Sequence, residues 1–505
     1  MYSQINSRNW YIIALSSLVF IMFYSINIGY VSPDSWNYLR LANALIEQGS
    51  CSINGEYFSV FPCGYPASIA LISTLSAGLD TFTASKISNL IFLSASFFLI
   101  HRASGNLLLS FLIIVNPITL DLYHFTFSEN AFLFSFSLSF YTISKIHKHG
   151  ITPHYAILLT LALIFGISAR YAFGPFAFLM FITCIIVYGK STSLKIFPYF
   201  ALAGITYISY LAFNHYQTGY STGMPRIPAP ESLSFLIMYF GYFNALSFLK
   251  IAIAASPVIY VIRSELISTI KAPSLPENIK NNPLSFIFVL GSIFLIVLFY
   301  LRTQTQYDLY NARTAGYSLV FIYASAITYI FNKNTPVLKT SHIVLTAILS
   351  ILASQPKDYF KTVTGTQTYI DFSELMDAYT SKIENASAVY SPLTPAPAEH
   401  ISVNKSAFYN GAAIIEADMA PYYEPDTLSS FNSKIAQYKE GCFYDFTHIN
   451  DKDQLDKKLS ETFRSGIEFR GSSFMPEIVH TPRLTEELRQ HLHSVFIPGK
   501  AVPCQ

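Results

Sequence analysis

About eleven apolar runs alternate with short polar segments over roughly the first 350 residues. They lie at 10–28, 86–100, 106–122, 130–145, 154–169, 171–189, 195–213, 248–262, 284–301, 314–331 and 340–354. Their lengths approach or meet the roughly 20 residues that a helix needs to cross a bilayer. The stretch 65–80, YPASIALISTLSAGLD, is also apolar, but it is short and starts beside a proline. It fits a re-entrant or juxtamembrane helix better than a span. From about residue 355 charged residues become frequent and no apolar run is long enough to span. Short strand-like pieces (AAIIEA, CFYDF) alternate with a helix-like one (TEELRQHLHSVF), after the Pro-rich SPLTPAPAEH. The pattern predicts a polytopic α-helical membrane domain over 1–354 and a small α/β domain over 355–505, with no internal repeat.

Composition agrees with that division. Of the 505 residues 52% are hydrophobic and 12% charged, against about 25% charged in soluble domains. The net charge of +2 and the lack of a basic run leave nothing to track a nucleic-acid backbone. The first apolar run has no small-residue cleavage site after it and reads as a retained anchor.

Charge then assigns sides. If 65–80 does not span, Arg8, Arg102, Lys145, Lys148, Lys190, Lys195, Arg263, Lys271, Lys280, Lys333 and Lys339 share one side. Asp34, Glu47, Glu56, Asp80, Asp121, Glu129, Glu231 and Asp308 share the other. That is the positive-inside pattern, with the N-terminus inside and the C-terminal part outside. The cysteines follow the same division. Cys51 and Cys63 share the first outer loop, Cys442 and Cys504 share the tail, and Cys184 is alone in a span. An oxidising, periplasm-like compartment would pair the first two couples, and four free thiols are the alternative.

Ionisable groups near the membrane are costly and tend to be functional. Here they gather at outer helix ends: Asp34 and Arg40 in VSPDSWNYLRLA, Asp121, His124 and Glu129 in DLYHFTFSEN, and Arg170 in ISARYAFG. NHYQTGYSTGMPR (214–226) and RTQTQYDLYNARTAG (302–316) complete the set. Each has a plain structural reading as well. Asp34 and Glu129 sit where first-turn acids face a helix dipole, the arginines can snorkel to headgroups, and His124 and the tyrosines suit an interface. Together they describe a cavity with carboxylates and arginines beside an apolar wall. Such a cavity suits a lipid carrying a phosphate. Arginine grips phosphate with a planar fork, and a carboxylate facing a hydroxyl can serve as general base. A sugar on that phosphate leaves behind a stable anion, so no second carboxylic acid is needed as proton donor, unlike in glycosidases. No nucleotide-binding glycine loop is present.

The motifs PDSWNYLRLA, FPCGYPASIAL, NPITLDLYHFTFSENAFLF, SARYAFGPFAFL, FNHYQTG and NARTAGYSLVFIYA follow one another over roughly residues 10–350. In that order they resemble the GT-C class of membrane glycosyltransferases, which take sugars from polyprenyl-phosphate carriers. The resemblance implies Asp34 as general base and Glu129 as a second catalytic acid. It implies Arg313, Arg170 and Arg302 on the donor phosphate, and Tyr38, Tyr65, His124 and Tyr216 in substrate binding. The lysine that often precedes the Pro-rich segment is missing from VFPCGYP, which shifts the phosphate to the arginines. Asp34 is followed by Ser35 rather than by a second acid, so no metal and no cofactor is assigned. Size, topology and an outer C-terminal domain are similar to bacterial O-antigen-modifying, serotype-converting glucosyltransferases. That implies an inverting hexosyltransferase of the bacterial inner membrane, with its active site facing the periplasm. Glucose would pass from undecaprenyl phosphate to an O-antigen or lipopolysaccharide acceptor. A flippase of polyprenyl-linked sugars and an O-antigen polymerase are the alternatives. A transporter would place its polar groups near mid-membrane, often in inverted repeats.

Overall fold

The computed structural model describes residues 7–28, 33–53, 56–222, 233–263, 267, 280–304, 312–334 and 338–354, and six short strands beyond residue 387. Among the described residues, six helices are long and apolar enough to cross a membrane. They lie in α1 (Ser7–Ile28), α4 (Thr81–Ser104), α9 (Phe173–Thr218), α10 (Leu233–Val261), α11 (Pro283–Gln304) and α12 (Ala312–Asn334). The helix α7 (Glu129–His149) has the length but is rich in serine, and most of its residues are buried. Helices α8 (Pro153–Ala169) and α13 (Thr340–Ala353) are apolar but shorter.

One expected span takes another form. The run 106–122 is divided into α5 (Leu107–Ile114) and α6 (Pro117–Tyr123). Asn116 causes the break. Its side-chain oxygen accepts from the amides of Ile118 and Thr119, both at 3.0 Å, and Pro117 follows in the first helical position. An Asn cap followed by Pro starts a helix rather than continuing one. Apolar periodicity alone could not register that break, because both half-helices are buried. The runs 171–189 and 195–213 are both helical, as expected, and meet inside α9 at Gly189, whose φ of +80° breaks the helix. Helix α3 (Gly64–Leu75) has 12 residues. At 1.5 Å per residue it is about 18 Å long, short of the roughly 30 Å hydrocarbon core.

The helices bring their ends together in two groups. At one end Asn106 donates to Asn332 at 3.2 Å, His147 meets Thr192 at 2.9 Å, and the Asn281 amide donates to the Val187 carbonyl at 2.9 Å. At the other lie α2 (Pro33–Gln48) and the hairpin of β1 (Ser52–Ile53) and β2 (Glu56–Tyr57). A disulfide joins Cys51 to Cys63 across this hairpin, with the Cα atoms 6.3 Å apart. Between the two ends runs an apolar core with packed aromatics, among them Phe136 against Phe321 at 4.7 Å and Phe132 against Phe176 at 4.6 Å.

In the tail the strands β3 (Ala388–Ser391), β4 (Phe408–Tyr409), β5 (Ala412–Glu416), β6 (Cys442–Asp445), β7 (Ile467–Phe469) and β8 (Gly499–Pro503) pair in the order β4-β5-β3-β6-β8-β7. β3 runs parallel to β5 and β6, and β6 parallel to β8, while the outer pairs are antiparallel. AAIIEA and CFYDF supply β5 and β6. The expected helix TEELRQHLHSVF and Cys504, half of the second expected disulfide, lie outside the described residues.

Candidate active site

Four helices deliver four charges to one end of the bundle. Helix α2 begins at Pro33 and carries Asp34 in its first turn. Its inner face, Trp36, Tyr38, Leu39, Leu41 and Ala42, is buried, which fixes the direction in which Asp34 leaves the helix. Glu129 opens α7, Arg170 caps the C-terminus of α8, and Arg313 lies in the first turn of α12.

Arg313 joins the two acids. One guanidinium nitrogen donates to Asp34 Oδ2 and its Nε donates to Glu129 Oε1. Arg170 reaches the same Glu129 oxygen at 3.0 Å. The Arg313 guanidinium also lies 4.0 Å from the centre of the Phe127 ring, a cation–π contact. Exposure separates these pairs. The Asp34 and Arg313 side chains are 24% and 20% exposed, so this pair is partly hydrated. Glu129 is only 2% exposed. Removing its arginines would strand a buried charge, at about 3–5 kcal/mol. Its second oxygen, Oε2, has no hydrogen-bond partner among the described residues.

Ser128 stands at the N-cap position of α7 without capping it. Its hydroxyl instead pairs with the Tyr38 hydroxyl at 2.8 Å and accepts from Arg170 at 3.2 Å. Tyr38 packs on Phe61 and edge-on against Tyr65, with ring centres 4.7 and 5.3 Å apart. Tyr65 in turn donates to Asn89 at 3.1 Å. Burial is the main force on the Tyr38 phenol and pushes it up to about 12, against the pull of Arg170 and Arg313. Tyr38 therefore remains a neutral hydroxyl at any physiological pH.

The turn before Glu129 is held from several helices. Lys86 of α4, itself fully buried, donates to the His124 carbonyl at 2.8 Å. Ser25 of α1 meets His124 Nδ1 at 3.0 Å. The Thr126 amide donates to Ser35 at 3.2 Å, and its hydroxyl pairs with Ser85 at 2.8 Å. Burial, with Lys86 and Lys250 adding to it, lowers the His124 imidazole to about 3 and keeps it neutral.

Of the residues singled out from sequence, Asp34, Glu129, Arg170 and Arg313 meet directly, Tyr38 joins them through Ser128, and Tyr65 supports Tyr38. His124 is fully buried behind them. Arg302 is 2% exposed, in the last turn of α11, and so at the same bundle end as Arg313. Tyr216 is 84% exposed. Two positions before it, the fully buried Asn214 donates to the Tyr171 hydroxyl at 2.6 Å and accepts from Tyr57 at 2.8 Å. This bond ties the disulfide hairpin to the turn that carries Arg170. Ser128, Ser35, Asn89 and Lys86 were not anticipated. Lys86 had a readable signal, a lysine at the edge of an apolar run, whereas the serines and Asn89 are indistinguishable in sequence from ordinary helix-end polar residues. Among the described residues no group of three or more His, Cys, Asp or Glu is arranged to hold a metal ion.

No family model and no curated protein matches the chain. Among solved structures it is similar to ArnT from Cupriavidus metallidurans bound to undecaprenyl phosphate, at 10% identity and a TM-score of 0.46, covering 86% of this chain and 89% of that one. It is also similar to the oligosaccharyltransferase of Archaeoglobus fulgidus, at 14% identity and 0.41, covering 76% and 60%. A third is the mycobacterial arabinofuranosyltransferase AftD, at 13% and 0.41, covering 77% and 31%. Likeness at this level decides neither activity nor substrate.

Proposed function

We propose that the chain is a GT-C-like membrane glycosyltransferase that moves a hexose, glucose, from undecaprenyl phosphate to an O-antigen acceptor on the periplasmic side of the bacterial inner membrane. One observation carries the reading: Arg313 reaches both Asp34 and Glu129, with Arg170 on the same Glu129, at one end of an apolar bundle. A phosphate on a lipid chain needs cations at an apolar edge, and a hydroxyl acceptor needs a carboxylate beside them.

The chemistry is a single displacement with inversion. An acceptor hydroxyl attacks the anomeric carbon, and Asp34 takes its proton as the new C–O bond forms. The bond from the anomeric carbon to the phosphate oxygen breaks, and its electron pair stays on the phosphate. Arg313 and Arg170 neutralise the charge that grows there, the kind of electrostatic stabilisation that lowers such barriers most. Glu129 holds both arginines in place. Tyr38, through Ser128, keeps Arg170 aligned.

The test is mass spectrometry of cell-surface polysaccharide from cells with and without the chain. A gain of one hexose per repeat is expected. Asp34→Asn, at unchanged membrane levels, should abolish the gain, since a general base typically contributes about 10²–10⁴ in rate. Normal modification by Asp34→Asn would overturn the assignment of the base, and no hexose gain with the intact chain would overturn the reaction.

A further inference from the structure

The ion pair that marks the site also closes it. Asp34 can accept a proton from an acceptor hydroxyl only through a carboxylate oxygen; Arg313 holds one of the two, Oδ2, and its positive charge makes the whole carboxylate a weaker base. Glu129 is buried beneath the same guanidinium. The two carboxylates and two arginines balance in charge.

We infer that Arg313 is a latch on Asp34, released by the carrier phosphate, so that the lipid donor must bind before the acceptor. This rests on the proposed glycosyl transfer. The phosphodiester brings one further negative charge to a balanced cluster. Arg313 has two carboxylate contacts to exchange, and they differ. Asp34 is 24% exposed, so water can solvate it once Arg313 leaves, whereas Glu129 is 2% exposed and also holds Arg170. The phosphate therefore replaces Asp34, the weaker anchor, while Glu129 and the Phe127 ring retain Arg313. The exchange takes Arg313 off Asp34 Oδ2 at the moment a donor is in place. It also leaves a base paired with arginine, and so a poor proton acceptor, whenever no donor is bound. Water is thereby denied an activated base beside an empty or half-filled site. No covalent bond changes in this step; one anion replaces another on the guanidinium.

The test uses the full chain in nanodiscs and two probes that cannot react together: undecaprenyl phosphate without sugar, and acceptor polysaccharide from cells lacking the chain. Undecaprenyl phosphate should tighten polysaccharide binding at least tenfold, and by linkage the polysaccharide should tighten carrier binding by the same factor. Undecaprenol, which has the chain but no phosphate, should leave polysaccharide affinity unchanged. Equal polysaccharide affinity with and without the phosphate carrier, or equal tightening by undecaprenol, would overturn the latch. Arg313→Gln should bind polysaccharide without carrier about as tightly as the wild type does with it. Weak binding by that variant at an unchanged melting temperature would also count against the latch. The wild-type comparison decides the question even if the variant does not fold. Hexose transfer without this coupling rejects the latch alone, while absence of hexose transfer rejects the reaction beneath it.

Discussion

Asp34 occupies the first turn of α2, where a carboxylate faces the positive end of the helix dipole, and its side chain also pairs with Arg313. A first-turn position and an arginine partner both favour a carboxylate, so the two roles coexist. Ser128 resolves the other way. It stands where a serine would cap α7, and Tyr38 and Arg170 take its hydroxyl instead. Tyr38 gives this scale its pH dependence. Its phenol ionises near pH 10 in the unfolded chain and is pushed up to about 12 in the fold, chiefly by burial. The fold thus favours the neutral form. That contribution is complete below pH 10 and is lost as pH rises towards 12, at up to about 1.4 kcal/mol per unit. Between pH 10 and 12 the melting temperature of the wild type should fall more steeply than that of Tyr38→Phe; parallel curves would contradict it.

At the scale of elements, the site depends on how closely α3 approaches α8. Gly64 opens α3, and a Cβ there would stand 2.4 Å from the Ser168 hydroxyl oxygen and 2.7 Å from the Ser168 backbone. Ser168 lies two residues before Arg170. Backbone cannot yield as a flexible side chain would, so Gly64→Ala must push the two helices apart, at about 1–3 kcal/mol for overpacking. A lower melting temperature and a loss of hexose transfer greater than the loss of folded protein are expected. Gly64→Ala with wild-type melting and transfer would show that this approach is not needed. The elements also mark the limit of reading by period. Hydropathy finds α1, α4 and α11 because each is a long apolar run. It misses the break at Asn116, since buried half-helices are apolar on both sides of it.

At the scale of the molecule, the two bundle ends gather segments that charge assigned to opposite sides of the membrane. Asn106, Asn332, His147 and Thr192 meet at one, and Asp34, Glu129, Arg170 and Arg313 at the other. With the remaining cysteines replaced, Tyr216→Cys should react with a membrane-impermeant maleimide on intact spheroplasts. Lys333→Cys should react only after lysis. The reverse pattern would turn the site to the cytoplasm and exclude a periplasmic acceptor.

The sequence by itself determined where the chain can enter a bilayer and which polar residues are left at helix ends, because both follow from hydropathy over a single run of residues. It carried four of the charged site residues for the same reason: each is an ionisable group beside an apolar run, in an order that resembles one family. What they are bonded to was decided only by tertiary structure. Asp34 and Arg313 are 279 positions apart, and Glu129 and Arg313 are 184 apart, so no local pattern links them. Their meeting follows from which helices pack together, and that packing is what sets one guanidinium on both carboxylates.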